Sequence, residues 1–315
     1  MMTIDARLEL FKKQFPKEKI TSVQERRGDD HSVVEINHTW MCKSALREQD
    51  IPALEKEVQL LTMLENKITT QVPVPVHYEH NFFVYKKIMG SPLIAYTYYR
   101  MGKKQQAKLA FQVAEFLLEL HAALSAEQIA SLQLAQSDWP WSVEKLQEYR
   151  HYMDDNQDVV EIFDKVMKVH AEEMQASFVP TLIHNDMDLK NIIIDPLTGV
   201  LRGIIDFADM AYDDPALDLR MRSSNPLPFS TAVAMVYSLL TKKEQRLEKL
   251  HSYYFATEFS RYLDALAQGD QEQAQQCLGV IVESIREIMN QDDACDDGPC
   301  AHDHTAQAKE SHASL

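Results

Sequence analysis

Leu182-Ile183-His184-Asn185-Asp186-Met187-Asp188-Leu189-Lys190-Asn191 is the stretch that decides the fold. It reads H-x-D-x-x-x-x-N between two apolar runs, and Ile204-Ile205-Asp206-Phe207 follows beyond a Pro196-Leu197-Thr198-Gly199 turn. Short β-rich runs joined by such a turn read as a hairpin, which folds Asp206 back beside the loop carrying Asp186. An Asp-x-x-x-x-Asn spacing alone is common; the flanking strands and the downstream Asp-Phe make this one specific. Phosphoryl transfer from a nucleotide needs a carboxylate to orient or deprotonate the acceptor hydroxyl, and oxygen ligands to hold Mg²⁺ against the phosphates. Asp186 is the expected catalytic carboxylate, with Asn191 and Asp206 the expected metal ligands.

Working outward, Thr21 to Leu93 alternates β-rich pieces such as Ser32–Ile36 and Phe82–Tyr85 with one helix. That helix is expected to open at Asp50 as N-cap, with Pro52 in its first turn and Leu54, Val58, Leu61 and Leu64 on one face. It must stop before Val72-Pro73-Val74-Pro75. After Gly90-Ser91-Pro92 the period changes: Ala107, Ala110, Ala114, Leu117 and His121 recur at helical spacing, and helices resume after Pro215 to about Met289. The expectation is an α+β chain with a β-rich N-lobe (1–92), a helical C-lobe (93–289) and a hinge near Lys86–Ser91. The stretch 290–315 lacks periodicity and reads as a disordered tail. Its Cys295, Cys300, His302 and His304 are metal-capable types at a spacing that fits no standard zinc pattern.

With these residues in view, the chain resembles the aminoglycoside phosphotransferases, within the kinase-like small-molecule phosphotransferases, over nearly its whole length to about Met289. It is most similar to the branch acting on the 2″-hydroxyl, through Ile183-His184-Asn185-Asp186, Gly203-Ile204-Ile205-Asp206-Phe207 and Asp214-Pro215. The resemblance implies a protein-kinase-like, two-lobed fold with ATP or GTP between the lobes. It assigns Lys43 to the nucleotide phosphates, positioned by Glu57 on the following helix. It places the hinge backbones of Lys86 and Ile88 at the purine edge and Tyr85 behind the base, where a bulky ring disfavours adenine and leaves guanine usable. Asp218 matches a family acid that braces the catalytic loop, by accepting a hydrogen bond from a structural His184.

The sequence departs from that pattern in three places. The phosphate-covering loop Arg26-Arg27-Gly28-Asp29-Asp30-His31-Ser32 holds one glycine, leaving Gly28 and Ser32 as its expected phosphate neighbours. Ala208 stands where many relatives carry Gly. Past Asp214-Pro215, where the 2″ branch is rich in acids that suit polyamine substrates, this chain has Arg220 and Arg222. Asp209, Asp213, Glu258 and Asp264 remain as acids for such an acceptor. An aminoglycoside is the first expectation, with a macrolide, choline-like amine, sugar or protein acceptor as alternatives. A nucleotide-binding pseudoenzyme is the competing class.

Composition sets the outer bounds. Lys+Arg total 32 and Asp+Glu 48, a net charge of −16, the wrong sign for gripping phosphate backbones, so no nucleic-acid partner is expected. With 45% hydrophobic residues the chain has ample core material. Four cysteines in 315 residues form no disulfide framework, no apolar run approaches a membrane span, and the start lacks a signal-peptide pattern, so a cytoplasmic protein without a membrane partner is expected.

Overall fold

The computed structural model describes residues 2–28, 30–220 and 225–296. The first element is a helix the sequence reading did not anticipate, α1 (Ile4–Gln14), capped by Thr3, whose hydroxyl accepts the Ala6 N–H at 3.2 Å. Strands β1 (Val23–Arg27), β2 (His31–Ile36) and β3 (Trp40–Ala45) follow, then α2 (Ile51–Leu64), β4 (Pro75–Glu79) and β5 (Phe82–Lys86). They form one antiparallel sheet in the order β1-β2-β3-β5-β4. Helix α2 starts after Asp50 with Pro52 in its first turn, but the Asp50 carboxylate turns back to the Arg47 N–H and guanidinium instead of capping α2.

Strand alternation divides this sheet's side chains between two faces. Val34, Ile36, Trp40, Cys42, Phe82 and Val84 pack under Phe11 of α1. Ala45, Phe83 and Tyr85 join the core shared with α2 and the helical half. Ser32 and Ser44 are partners in the β2–β3 register and lie on the α1 side. There the buried Arg7 guanidinium donates to Ser32 (2.9 Å), Ser44 (3.2 Å) and Glu25 (2.6 Å).

The chain crosses over through β6 (Ser91–Pro92) and continues as α3 (Ala95–Arg100), α4 (Lys103–Ala122), α5 (Ala126–Leu132), α6 (Val143–Tyr149) and α7 (Gln157–Glu173). Next come β7 (Thr181–Ile183), β8 (Ile192–Ile194), β9 (Leu201–Ile204), β10 (Ala211–Asp213), α8 (Ala216–Leu219), α9 (Leu227–Thr241), α10 (Leu247–Gln268) and α11 (Gln271–Asp296). The hairpin β8–β9 forms as read, β6 adds to its β8 edge, and β7 pairs with β10. Because Ser91 and Pro92 pair with Ile194 and Ile193, the backbone has joined the helical half by Ser91. Helix α4 packs on α9, and α10 on α7 and α11, around two apolar clusters.

Two glycines permit close approaches to the hairpin. A Cβ on Gly203 would lie 2.5 Å from the Gln71 carbonyl oxygen, and one on Gly90 would lie 2.5 Å from that of Ile194. The α2–β4 connection and the link between the halves therefore both seat directly on β8–β9.

The reading of 290–315 as a tail is corrected at its start: α11 continues through Asp296, since no Pro or Gly interrupts 290–296. Cys300, His302 and His304 lie outside the described residues, as do Asp29 and Arg222. Among the described residues no single helix is long and apolar enough to cross a membrane.

Candidate active site

Between β7 and β8 the catalytic-type loop is held by hydrogen bonds from several elements. Asp186 is buried, and Asn191 donates its side-chain N–H groups to the Asp186 carbonyl at 2.9 Å and carboxylate at 2.8 Å. His184 is fully buried; its Nδ1 accepts the Asp186 N–H at 3.2 Å, so Nε2 carries the proton and donates to the Ile205 carbonyl at 3.0 Å. One imidazole thereby spans the loop and the residue preceding Asp206.

Asp218, at the start of the helical return, accepts the His184 and Asn185 backbone N–H groups at 2.8 and 2.6 Å and meets His121 Nε2 at 3.1 Å. The expected brace is present, with one correction: the donor is the His184 amide, because the imidazole is engaged elsewhere. Burial alone would raise the Asp218 pKa, but the His121 bond, the nearby imidazoles and the amide hold it below the usual carboxylate range. Asn225 adds a second clamp, accepting the Leu189 N–H and donating to the Met187 carbonyl. Asn185 and Asp206 both have φ of 67°, a left-handed conformation that Asn and Asp adopt at less cost than most side chains.

Lys43 and Glu57, fourteen positions apart, meet under the sheet: Lys43 Nζ donates to Glu57 Oε1 at 2.8 Å and to Asp206 Oδ1 at 3.1 Å. Burial works against the ammonium, but the two carboxylates more than offset it and hold its pKa above the ordinary value. Burial also pushes Asp206 up, yet Lys43 and then His31 draw it below the usual range, while Glu57, fully buried, is shifted up. Asp206 stays partly open to the cleft, with 31% of its side chain exposed.

Tyr85 is buried on the same face, 5.5 Å from Phe83 by ring centroids, and burial holds its phenol protonated. The Lys86 side chain points to the opposite face, its Nζ 5.7 Å from the Trp40 ring centroid, so only its backbone faces the cleft edge. Ile88 is buried against Gly203.

The loop residues expected at the phosphates are placed differently. Gly28 donates its N–H to the His31 carbonyl at 2.9 Å, closing the turn. Ser32 sits on the α1 side, accepting from Arg7 and donating to Glu25 at 2.8 Å. It is His31 that reaches the cleft, with Nε2 3.9 Å from Asp206 Oδ1. The signal that could have found it was strand parity: if Lys43 faces the cleft, its register partner Val33 does too, and so does His31.

Beside Asp186 opens a cleft of about 940 Å³ with Trp139, Asn185, Asp188, Lys190 and Asp209 in its lining. Of the four acids expected for a polyamine acceptor, Asp209 is the one that lines it. Asp213 instead accepts the Ser137 and Asp214 N–H groups. Glu258 is buried beside Arg261, and Asp264 accepts from Gln268 on its own helix. Lys56, Lys190, Arg220 and Arg261 also line the cleft. Arg220 is buried and donates to the Trp139 and Asn185 carbonyls at 2.8 and 3.0 Å, so it ties the cleft wall to the loop carrying Asp186.

A model of the phosphotransferase enzyme family matches residues 23–275. Among solved structures, the chain is similar to the GDP and kanamycin complex of a type IIIa aminoglycoside 2″-phosphotransferase, with 22% identity, coverage of 89% of this chain and 98% of that one, and a TM-score of 0.73. The gentamicin complex of a type IIa 2″-phosphotransferase matches at 21% identity over 90% and 97%, with a TM-score of 0.64. A type I macrolide 2′-phosphotransferase matches at 17% over 87% and 96%, with a TM-score of 0.62. The expected two-lobed α+β fold is thus shared across the length of these enzymes.

Proposed function

The chain belongs to the phosphotransferase enzyme family, and from that premise we propose that it moves the γ-phosphate of ATP or GTP to a hydroxyl of a small molecule held in the cleft beside Asp186. The observation that carries this reading is Lys43 bridging Glu57 and Asp206 across 163 positions of sequence. A buried lysine between two carboxylates, opening on a loop with a buried Asp, supplies the positioned charges that phosphoryl transfer requires.

In this reading Asp186 orients the acceptor hydroxyl and takes its proton as the new O–P bond forms and the bond from the γ-phosphorus to the β–γ bridging oxygen breaks, releasing the nucleoside diphosphate. Asn191 spends its N–H groups on Asp186, which leaves its carbonyl oxygen, with the Asp206 carboxylate, as ligands for Mg²⁺. An all-oxygen pair of this kind fits a hard cation whose remaining ligands are water and substrate phosphates. When bound, the ion neutralises phosphate charge. Lys43 holds the non-transferred phosphates, and Glu57 fixes the ammonium's direction. Tyr85 backs the base site, so GTP is expected to serve at least as well as ATP.

The aminoglycosides bound by two of the similar structures make polyamines the first acceptors to try. The interleaved cations Lys56, Lys190 and Arg261 support extending the set to macrolides and uncharged sugars. The test is phosphate transfer from Mg–ATP and Mg–GTP across such a panel, wild type beside Asp186→Asn. Transfer that falls by about 10³-fold or more in the variant is the expected outcome. Nucleotide binding with no Asp186-dependent turnover would leave a nucleotide-binding pseudoenzyme in its place.

A further inference from the structure

In the hairpin β1–β2, the two described residues expected at the phosphates are engaged elsewhere. Its single glycine spends its N–H on the His31 carbonyl, and its serine hydroxyl lies on the far side of the sheet, bound to Arg7 and Glu25. The hairpin tip is also tied down. Arg47 pairs with Asp30 at 2.5 Å and with Asp50 at 2.8 Å, and the Leu46 N–H bonds the Asp30 carbonyl at 2.9 Å. Among the described residues, these contacts set the position of the tip from which β2 presents its side chains to the cleft.

One of these side chains is His31. It occupies the cleft-facing parity of β2, is 23% exposed, and sets Nε2 3.9 Å from Asp206 Oδ1, which itself lies 3.1 Å from Lys43 Nζ. The Asp206 carboxylate thus has a cation on one side and an imidazole on the other, in the space where the proposed function puts the nucleotide phosphates. An imidazole N–H is a directional donor, and hydrogen bonds to a charged oxygen are stronger than neutral ones.

Building on the nucleotide-dependent reading above, we propose that His31 is a phosphate-binding residue of this site, its Nε2–H donating to a phosphate oxygen of the nucleoside triphosphate in place of glycine-loop amides. The residue acts on the phosphate chain and not on the base or the acceptor.

The test is calorimetric titration of the full chain with Mg–GTP and Mg–ATP, and separately with guanosine and adenosine, for wild type, His31→Ala and His31→Gln. His31→Ala is expected to weaken triphosphate binding about tenfold and to leave nucleoside affinity within about twofold, at an unchanged thermal midpoint. His31→Gln, whose amide N–H₂ reaches a similar position, is expected to recover part of the loss, and turnover should show the effect in KM more than in kcat. Undiminished triphosphate binding by His31→Ala, or equal losses for triphosphate and nucleoside, overturns the assignment. A wild-type chain that binds no Mg–nucleotide fails earlier and takes the nucleotide reading with it.

Discussion

The two faces of the N-terminal sheet carry polar groups of similar kinds to opposite ends. On the α1 side, Arg7, Glu25, Ser32 and Ser44 bond one another within the first 44 residues. On the cleft side, Lys43, held by Glu57, and His31 meet Asp206, which comes from the other half of the chain. The first network is assembled locally and locks a helix to a sheet. The second stays partly open, with an acceptor oxygen facing the cleft. Neighbouring residues fall on opposite sides of this divide, His31 from Ser32 and Lys43 from Ser44, so residue type alone does not separate a structural polar group from a functional one.

Substitutions on the two faces should therefore fail in different assays. Lys43→Met is expected to lower kcat/KM by about 10²–10³-fold, because the charge facing the phosphates is lost while the methylene stem is kept. Stability retained alongside full activity in that variant would break the comparison. Arg7→Met is expected to do the reverse, costing about 2 kcal/mol in denaturant unfolding by removing the buried guanidinium's bonds to Ser32, Ser44 and Glu25, with kcat of the folded fraction unchanged.

The pH dependence sharpens the same contrast. The Ser32 hydroxyl, then the Arg7 guanidinium, hold the Glu25 carboxyl below its ordinary value of 4.5. A carboxylate with a depressed folded-state pKa contributes stability that is complete above its unfolded pKa and is lost as pH falls through the folded one. Below about pH 4.5 the wild type should lose stability more steeply than Glu25→Gln. Parallel slopes in urea unfolding would show that the α1-side network carries no charge-dependent stability. The smallest effect belongs to Ser32→Ala: about 1 kcal/mol, since Arg7 keeps Glu25 and Ser44, and no more than a twofold change in nucleotide KM.

What could be read beforehand follows the range over which each feature is encoded. The hairpin that follows the His184–Asn191 loop is legible because its two strands are neighbours in sequence and the turn between them is marked by Pro196 and Gly199. Lys43 and Glu57 were legible through a spacing that strand and helix geometry translate into one site. Ser32 faces away from the cleft because strand parity depends on what covers each face, and the covering element, α1, is marked in the sequence by Thr3 as cap and by Ile4, Leu8, Phe11 and Phe15 at helical spacing. Three of the four expected acceptor acids are engaged elsewhere for a related reason, while Asp209 lines the cleft. Asp213 and Glu258 are claimed by Ser137 and Arg261, and Asp264 by Gln268. Arg220, read as a change in the acceptor patch, is a buried tie between the cleft wall and the loop.

Gly90 and Gly203 have a mechanical consequence. Gly203 lets the Gln71 carbonyl accept the Ile204 N–H at 3.0 Å, two residues before Asp206, and Gly90 lets the connecting strand lie against the Ile194 carbonyl. The two missing side chains work as spacers: they set how closely the sheet carrying Lys43 is fastened to the hairpin that leads to Asp206.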